Sequence, residues 1–216
     1  MIKNKEINKV EIPSFACGAE YEGKLYIASE KNNMLYEYDC AKNELRCIAF
    51  FEKEKDTEYL YRTCILYKEK AWLFSGHSGM GKSTHTQMWH DLLQTPYLNG
   101  DLNLLGMENS KIIVYGIPWC GTSGIYTTTD HELGGIVLLG RDPEKDFLQE
   151  LSPSEKVIRI MQRMISPSWK ERFFSMNLDF AEKIAGQVPI LHLLCTRNPS
   201  AVYTVQRKID ALEEPQ

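Results

Sequence analysis

Gly76-His-Ser-Gly-Met-Gly-Lys-Ser83 fits the spacing G-x-x-x-x-G-K-[ST], lying after a short apolar strand and before a stretch that reads as helix. That context makes the pattern a candidate phosphate site. Gly76, Gly79 and Gly81 let the backbone bend so that successive N–H groups point inward, and the following helix adds its positive N-terminal end. Lys82 is spaced to reach the β- and γ-phosphates of a nucleotide, and the Ser83 hydroxyl to sit on Mg²⁺ bridging the same oxygens. His77, Ser78, Met80 and Thr84 complete the expected binding stretch. The competing reading of the same residues is a glycine-rich turn that holds no nucleotide.

A second ligand is needed across from Ser83, and Asp101 is the candidate carboxylate. It follows Tyr97-Leu98-Asn99-Gly100, a short apolar piece ending in a glycine turn; an ordinary Asn-Gly-Asp turn is the alternative. Arg141 closes the apolar run GGIVLLG at a strand end, where a cation could stabilise charge on a transferring phosphoryl group. The segment Tyr115 to Gly124, YGIPWCGTSG, makes a backbone-rich loop in which Trp119, Gly121, Thr122 and Ser123 are expected to bind an acceptor. Cys120 has no identifiable base partner. His85 and His90 lie five apart, which separates them around a helix, and are read as surface or capping residues. His192 falls in an apolar strand and reads as a core histidine.

The stretches SGHSGMGKSTHTQMW, LNGDLNLL and VYGIPWCGTSG, in that order, resemble the P-loop proteins related to HPr kinase/phosphorylase and the nucleotide-binding core of phosphoenolpyruvate carboxykinase. The likeness covers residues 60–212. It implies an α/β P-loop fold and ATP-dependent, Mg²⁺-dependent phosphorylation of a serine-like hydroxyl on a peptide or small protein. In that picture Lys82 acts on phosphate, Ser83 and Asp101 surround the metal, and an acidic residue of the aspartate pair is the base. Two departures support an alternative, a catalytically degenerate nucleotide-binding sensor or interaction protein. Gly100-Asp101 stands where the relatives often carry Asp-Asp, and Tyr61 stands roughly where they tend to show His.

The elements that must position these residues follow from pattern. Residues 15 to 74 read as short strands rich in aromatic and β-branched residues, FACGAEY, KLYIAS, MLYEYD, LRCIAFF, YRTCILY and AWLF, separated by turn signals. This predicts an antiparallel β meander. Within it YEGKLYIAS (21–29) resembles YKEKAWLFS (67–75), either a kelch-like repeat or two surface hairpins. The run EKEKDTE at 52–58 reads as a solvated loop.

After the loop, a helix is expected over Ser83–Leu93, and strands over Ile112–Ile117, Gly135–Leu139 and Ile190–Cys195. Ser152-Pro153-Ser154-Glu155 is a capping box, with Val157, Met161, Met164 and Ile165 on one helical face. A second helix restarts at Ser166-Pro167 and runs to Gly186, with Trp169, Phe173 and Phe174 in the core. A last one, capped by Asn198, places Val202, Val205, Ile209 and Leu212 on one side. The expected organisation is a meander over 1–59 and a P-loop domain over 60–216.

Composition bounds the function classes. The chain has 216 residues, 43% hydrophobic and 25% charged, enough to bury a core. A net charge of −4, spread evenly, gives no electrostatic footprint for nucleic acid. No apolar run approaches the roughly 18 to 20 residues of a membrane span, and the N-terminal stretch MIKNKEINKVEIP is not a secretory signal, so a cytoplasmic location is expected. Six cysteines without a C-x-x-C pair are read as reduced.

Overall fold

The computed structural model describes residues 15–21, 24–29, 34–39, 41–42, 44–50, 57–61, 63–77, 79–100, 102–118, 124–164 and 171–213. The chain divides into two compact units, Met1–Glu54 and Lys55–Gln216. In the first unit four antiparallel strands, β1 (Phe15–Tyr21), β2 (Lys24–Ser29), β3 (Met34–Asp39) and β4 (Glu44–Phe50), pair in sequence order. The β3–β4 turn is fixed by the Asp39 carboxylate, whose Oδ1 accepts from the Ala41 and Lys42 backbone N–H groups at 3.0 Å each.

The second unit begins with β5 (Thr57–Tyr61), which overlaps the charged run expected to be a loop. It is a strand because it borders β9 (Leu102–Glu108), with Thr57 opposite Gly106 and Tyr61 opposite Leu102. Among the described residues it is the terminal strand of the sheet order and pairs on one side, a position that tolerates charged residues.

The hairpin of β6 (Thr63–Tyr67) and β7 (Lys70–Ser75) follows, then α1 (Lys82–Leu93) and β8 (Tyr97–Asn99). β9 and β10 (Lys111–Tyr115) form a second hairpin, and β11 (His131–Arg141) runs through the centre. The chain closes with β12 (Phe147–Gln149), α2 (Pro153–Met161), α3 (Glu171–Gln187), β13 (Ile190–Cys195) and α4 (Ser200–Glu213). The sheet order is β5-β9-β10-β11-β7-β6-β8, with β13 on β11 and β12 on β13. β7, β11 and β13 are parallel to one another. β8 and β7 are both antiparallel to β6, so β8 shares that direction.

Period-two alternation divides the side chains between two faces. Ala71, Leu73, Ile136 and Leu138 join Ile160 of α2 and Phe180, Ala181 and Ile184 of α3. Trp72, Phe74, Val137 and Leu139 join Trp89 of α1 and Ala201, Val202, Val205 and Ile209 of α4. Helices therefore cover both faces of the parallel strands, which is why β11 is buried without a break from Leu133 to Leu139. Gly134 and Gly135 make room for the Trp72 ring: a Cβ at either position would stand 2.6 Å from it.

Helix boundaries follow local chemistry. Ser152 caps α2 as expected: its hydroxyl accepts from the Glu155 N–H at 3.3 Å, and the Glu155 carboxylate accepts from the Ser152 N–H at 2.9 Å. Ile160, which the expected apolar face omitted, is the fully buried residue of α2, with Val157, Met161 and Met164 packed around the same cluster. Ile165 and Trp169 lie outside the described residues. Phe174 is exposed, not core, because α3 turns Asn177, Phe180, Ala181 and Ile184 inward instead.

On α4 Val202, Val205 and Ile209 are buried as expected, whereas Leu212 is 49% exposed in the last turn. The start of α4 is held less by Asn198 than by Asp146. Its Oδ1 accepts from Thr196 N at 2.6 Å and Thr196 Oγ1 at 3.0 Å, and its Oδ2 accepts from the Ser200 hydroxyl. Each of the two nonapeptides that resemble each other contains the second strand of an antiparallel pair, β2 or β7, but the copy in β7 is a buried central strand, not a surface hairpin.

Candidate functional site

The glycine loop leaves the C-terminal end of β7 and enters α1. Gly79 and Gly81 adopt φ +74° and +94°, the left-handed region in which a side chain is strained, and nothing stands within 4 Å of a Cβ built on either. Gly76 is small for a different reason: a Cβ there would meet Met80 at 3.1 Å and the Leu139 carbonyl at 3.3 Å. The loop closes on itself through Met80 N–H to His77 O at 3.1 Å.

α1 starts from Gly81 with no side-chain cap and no acidic residue in its first turn, unlike the fully capped α2. Its N-terminal N–H groups thus face the loop as a positive end. Lys82 Nζ donates to the carbonyls of Gly76 at 3.1 Å and His77 at 3.3 Å, spanning the inside of the loop. Ser83 and Thr84 are exposed in the first turn, and His77 is exposed at the loop's shoulder. Ser78 lies outside the described residues.

A cleft of about 520 Å³ opens beside this loop. Gly79 to Gly81 with Thr84, His85 and Met88 form one wall. The ends of β11 and β13, through Leu139, Arg141, Cys195 and Arg197, form the other. It therefore lies outside the carboxyl ends of parallel strands, the usual position of a ligand in an open α/β sheet. Arg141 reaches back across it, its Nη2 donating to the Gly79 carbonyl. Asp142, on the same rim, accepts from the Glu144 and Lys145 N–H groups at 2.9 and 3.0 Å, and these bonds hold its carboxyl below the usual range. Burial pushes the Cys195 thiol up to about 11, with the Asp146 charge adding to it.

His85 departs from the expected surface role. It is 2% exposed, packs on Phe74 with ring centroids 5.2 Å apart, and accepts at Nε2 from Trp89 Nε1 at 3.2 Å. Burial pushes its pKa down to about 4, opposed in part by Asp146. His90 keeps the capping role, its Nδ1 lying 2.9 Å from the Thr95 carbonyl past the helix end. His192 is buried, as expected, but it is not the satisfied core histidine the strand implied: its Nδ1 is sealed from solvent with no hydrogen-bond partner among the described residues, and its pKa is lowered by burial and by Arg159 and Arg163.

Asp101, Trp119, Cys120, Gly121, Thr122 and Ser123 lie outside the described residues. Their flanks are placed. Cys64 is paired with both Leu73 of β7 and Asn99 of β8, so the C-terminal end of β8 stands level with the strand that feeds the glycine loop, about 10 Å away across β6. Gly100 N–H donates to Ile125 O at 3.2 Å, which ties the distal flank of the 119–123 segment to the β8 turn. Its proximal flank is held where Gly116 donates to Asp130 Oδ1 at 2.8 Å; a Cβ on Gly116 would stand 2.3 Å from the Thr128 carbonyl carbon.

The expected residues Gly76, Gly79, Met80, Gly81, Lys82 and Arg141 thus come together at the carboxyl ends of the central strands β7 and β11. Sequence reasoning missed His85, Asp142, Cys195 and Arg197. Of these, His85 carried a signal, since Trp89 stands four residues on and shares its helical face. Among the described residues no three His, Cys, Asp or Glu side chains gather as a metal cluster, and no helix is long and apolar enough to cross a membrane.

No protein-family model matches the chain, and no curated protein matches it. Among solved structures, the HPr(Ser) kinase/phosphatase from Coxiella burnetii is similar at 14% identity and a TM-score of 0.44, over 73% of this chain and 99% of that one.

Proposed function

We propose that the protein is a Mg²⁺-ATP-dependent kinase that transfers the γ-phosphoryl group to a serine-like hydroxyl of a peptide or small protein. The observation that carries the proposal is the glycine loop itself. Two left-handed glycines with open space above them lead into a helix whose first turn has neither a side-chain cap nor an acid. A phosphate chain supplies the acceptors that such an arrangement is built to meet.

The donor set fits a nucleotide phosphate: backbone N–H groups, Lys82 and Arg141 for the oxygens, and the exposed Ser83 hydroxyl for Mg²⁺, with Asp101 as the second metal ligand. Mg²⁺, when bound, would offset charge on the β- and γ-oxygens. Lys82 would exchange its loop carbonyls for phosphate oxygens, and Arg141, fixed on Gly79, would hold charge at the loop's crest. Trp119, Gly121, Thr122 and Ser123 would orient the acceptor hydroxyl, and Asp101 would accept its proton.

A second reading, nucleotide binding without transfer, is supported by Gly100, which leaves Asp101 without an adjacent carboxylate. ADP release from Mg²⁺-ATP in the presence of serine-containing peptides tests the choice. Release that depends on peptide and is lost in Asp101→Asn supports transfer; tight ATP binding with no peptide-dependent release supports the second reading.

A further inference from the structure

The ring of His85 has two polar atoms, and one is already committed. An indole N–H can only donate, so the Trp89 Nε1 contact at 3.2 Å requires a lone pair on His85 Nε2. In the neutral ring the proton is then on Nδ1. The ring is 98% shielded yet forms part of the cleft wall beside the glycine loop. Among the described residues Nδ1 has no hydrogen-bonding partner, and it is not among the polar atoms sealed from solvent. Burial keeps the ring neutral, its pKa down at about 4.

Around it, Met80 and Met88 on the helix side and Leu139 and Pro143 on the strand side give apolar walls suited to a flat ring, and the thioethers adapt to its edges. A cleft that combines these apolar walls and the oriented neutral imidazole donor with the charged side chains Arg141, Asp142 and Arg197, next to a phosphate cradle, matches a heterocycle with in-plane acceptor nitrogens that is joined to a phosphate chain.

We propose that this cleft receives the purine ring of the nucleotide, and that His85 donates its Nδ1–H to a ring nitrogen of the base in a tautomer fixed by Trp89. This rests on the nucleotide reading of the glycine loop. It adds a base-recognition residue outside the phosphate-binding stretch, so phosphate binding and base recognition are separable.

The test compares a non-hydrolysable ATP analogue with inorganic tripolyphosphate, both with Mg²⁺, by calorimetry on wild type, His85→Phe and Trp89→Phe, each with a melting curve. Wild type is expected to prefer the nucleotide. His85→Phe should reduce that preference about tenfold, the worth of one buried hydrogen bond, with tripolyphosphate affinity unchanged. Trp89→Phe should reduce it less, because the donor remains but its tautomer is no longer fixed. The Nδ1–H tautomer is read independently from the imidazole ¹⁵N shifts of wild type.

On wild type alone, one of 1-deaza-, 3-deaza- or 7-deaza-ATP should bind about tenfold more weakly than ATP, which holds the proposal to account even if a variant fails to fold. Equal affinity for all three deaza analogues and ATP, or equal affinity for tripolyphosphate and nucleotide, overturns it. Binding of neither ligand by wild type defeats the glycine-loop reading itself, a distinct result.

Discussion

Arg141, at the end of β11, donates to the carbonyl of Gly79 at the crest of the glycine loop, 62 residues away in sequence. The contact joins the two walls of the cleft, so the strand that runs through the middle of the sheet also sets the position of the loop. Arg141→Ala should weaken binding of a non-hydrolysable ATP analogue by three- to tenfold. Arg141→Lys should restore only part of it, because an ammonium cannot reproduce the planar fork. Calorimetric titration reads both; unchanged affinity in Arg141→Ala would contradict the role.

Gly79→Ala and Gly81→Ala separate backbone strain from steric fit. Neither Cβ meets an atom within 4 Å, so each substitution acts through its positive φ alone, worth about 1 to 2 kcal/mol. A fall of a few degrees in melting temperature is expected, with a larger loss of nucleotide binding as the loop rearranges. Gly134→Ala should do the reverse. Its Cβ would stand 2.6 Å from Trp72 Nε1, so it should lower the melting temperature further, through crowding of about 1 to 3 kcal/mol, without touching the loop.

Phe74 lies on β7 between the sheet and α1, fully buried, with Trp89 at 5.7 Å between ring centroids. Phe74→Ala should destabilise the protein by about 3 to 5 kcal/mol in urea unfolding. Ile158→Ala, at a residue 53% exposed, should stay within about 0.5 kcal/mol. Equal effects from the two would contradict the placement of the core.

Much of this architecture was legible because it depends on local rules. The strand, glycine loop and helix order, the Ser152 capping box, and Val202, Val205 and Ile209 on one face of α4 all follow from short-range spacing. What was not legible depends on pairing at a distance. Thr57–Tyr61 is a strand only because β9 lies beside it, and LNLLGME is recognisable as β9 only with both of its partners present. His85 was misread for a similar reason: its helical spacing to His90 excluded a metal pair, but its burial is decided by Phe74 and by the strand ends it faces. Leu212 failed in the opposite direction: it continues the spacing of Val202, Val205 and Ile209 but stands exposed in the last turn of α4.

The depressed pKa of His85 makes stability depend on pH with a definite sign. The folded state holds the ring neutral down to about pH 4, whereas the unfolded chain takes up a proton near pH 6.5. The unfolded state therefore binds more protons between those values, and stability is fully present above about pH 6.5 and declines as pH falls towards 4. The limiting slope from one such group is about 1.4 kcal/mol per pH unit. His192, also shifted down, adds in the same direction. Urea midpoints measured from pH 7.5 to 4.5 should fall for wild type and fall less for His85→Phe. Parallel curves for the two proteins would contradict the assignment.

The central claim, that the glycine loop binds nucleotide phosphates, is tested most directly by calorimetric titration of the full chain with a non-hydrolysable ATP analogue, with and without Mg²⁺, alongside Lys82→Ala. Micromolar binding that requires Mg²⁺ and is lost in a folded Lys82→Ala is the predicted result. A folded wild type that binds no nucleotide, or a Lys82→Ala variant that binds as tightly as wild type, would contradict it.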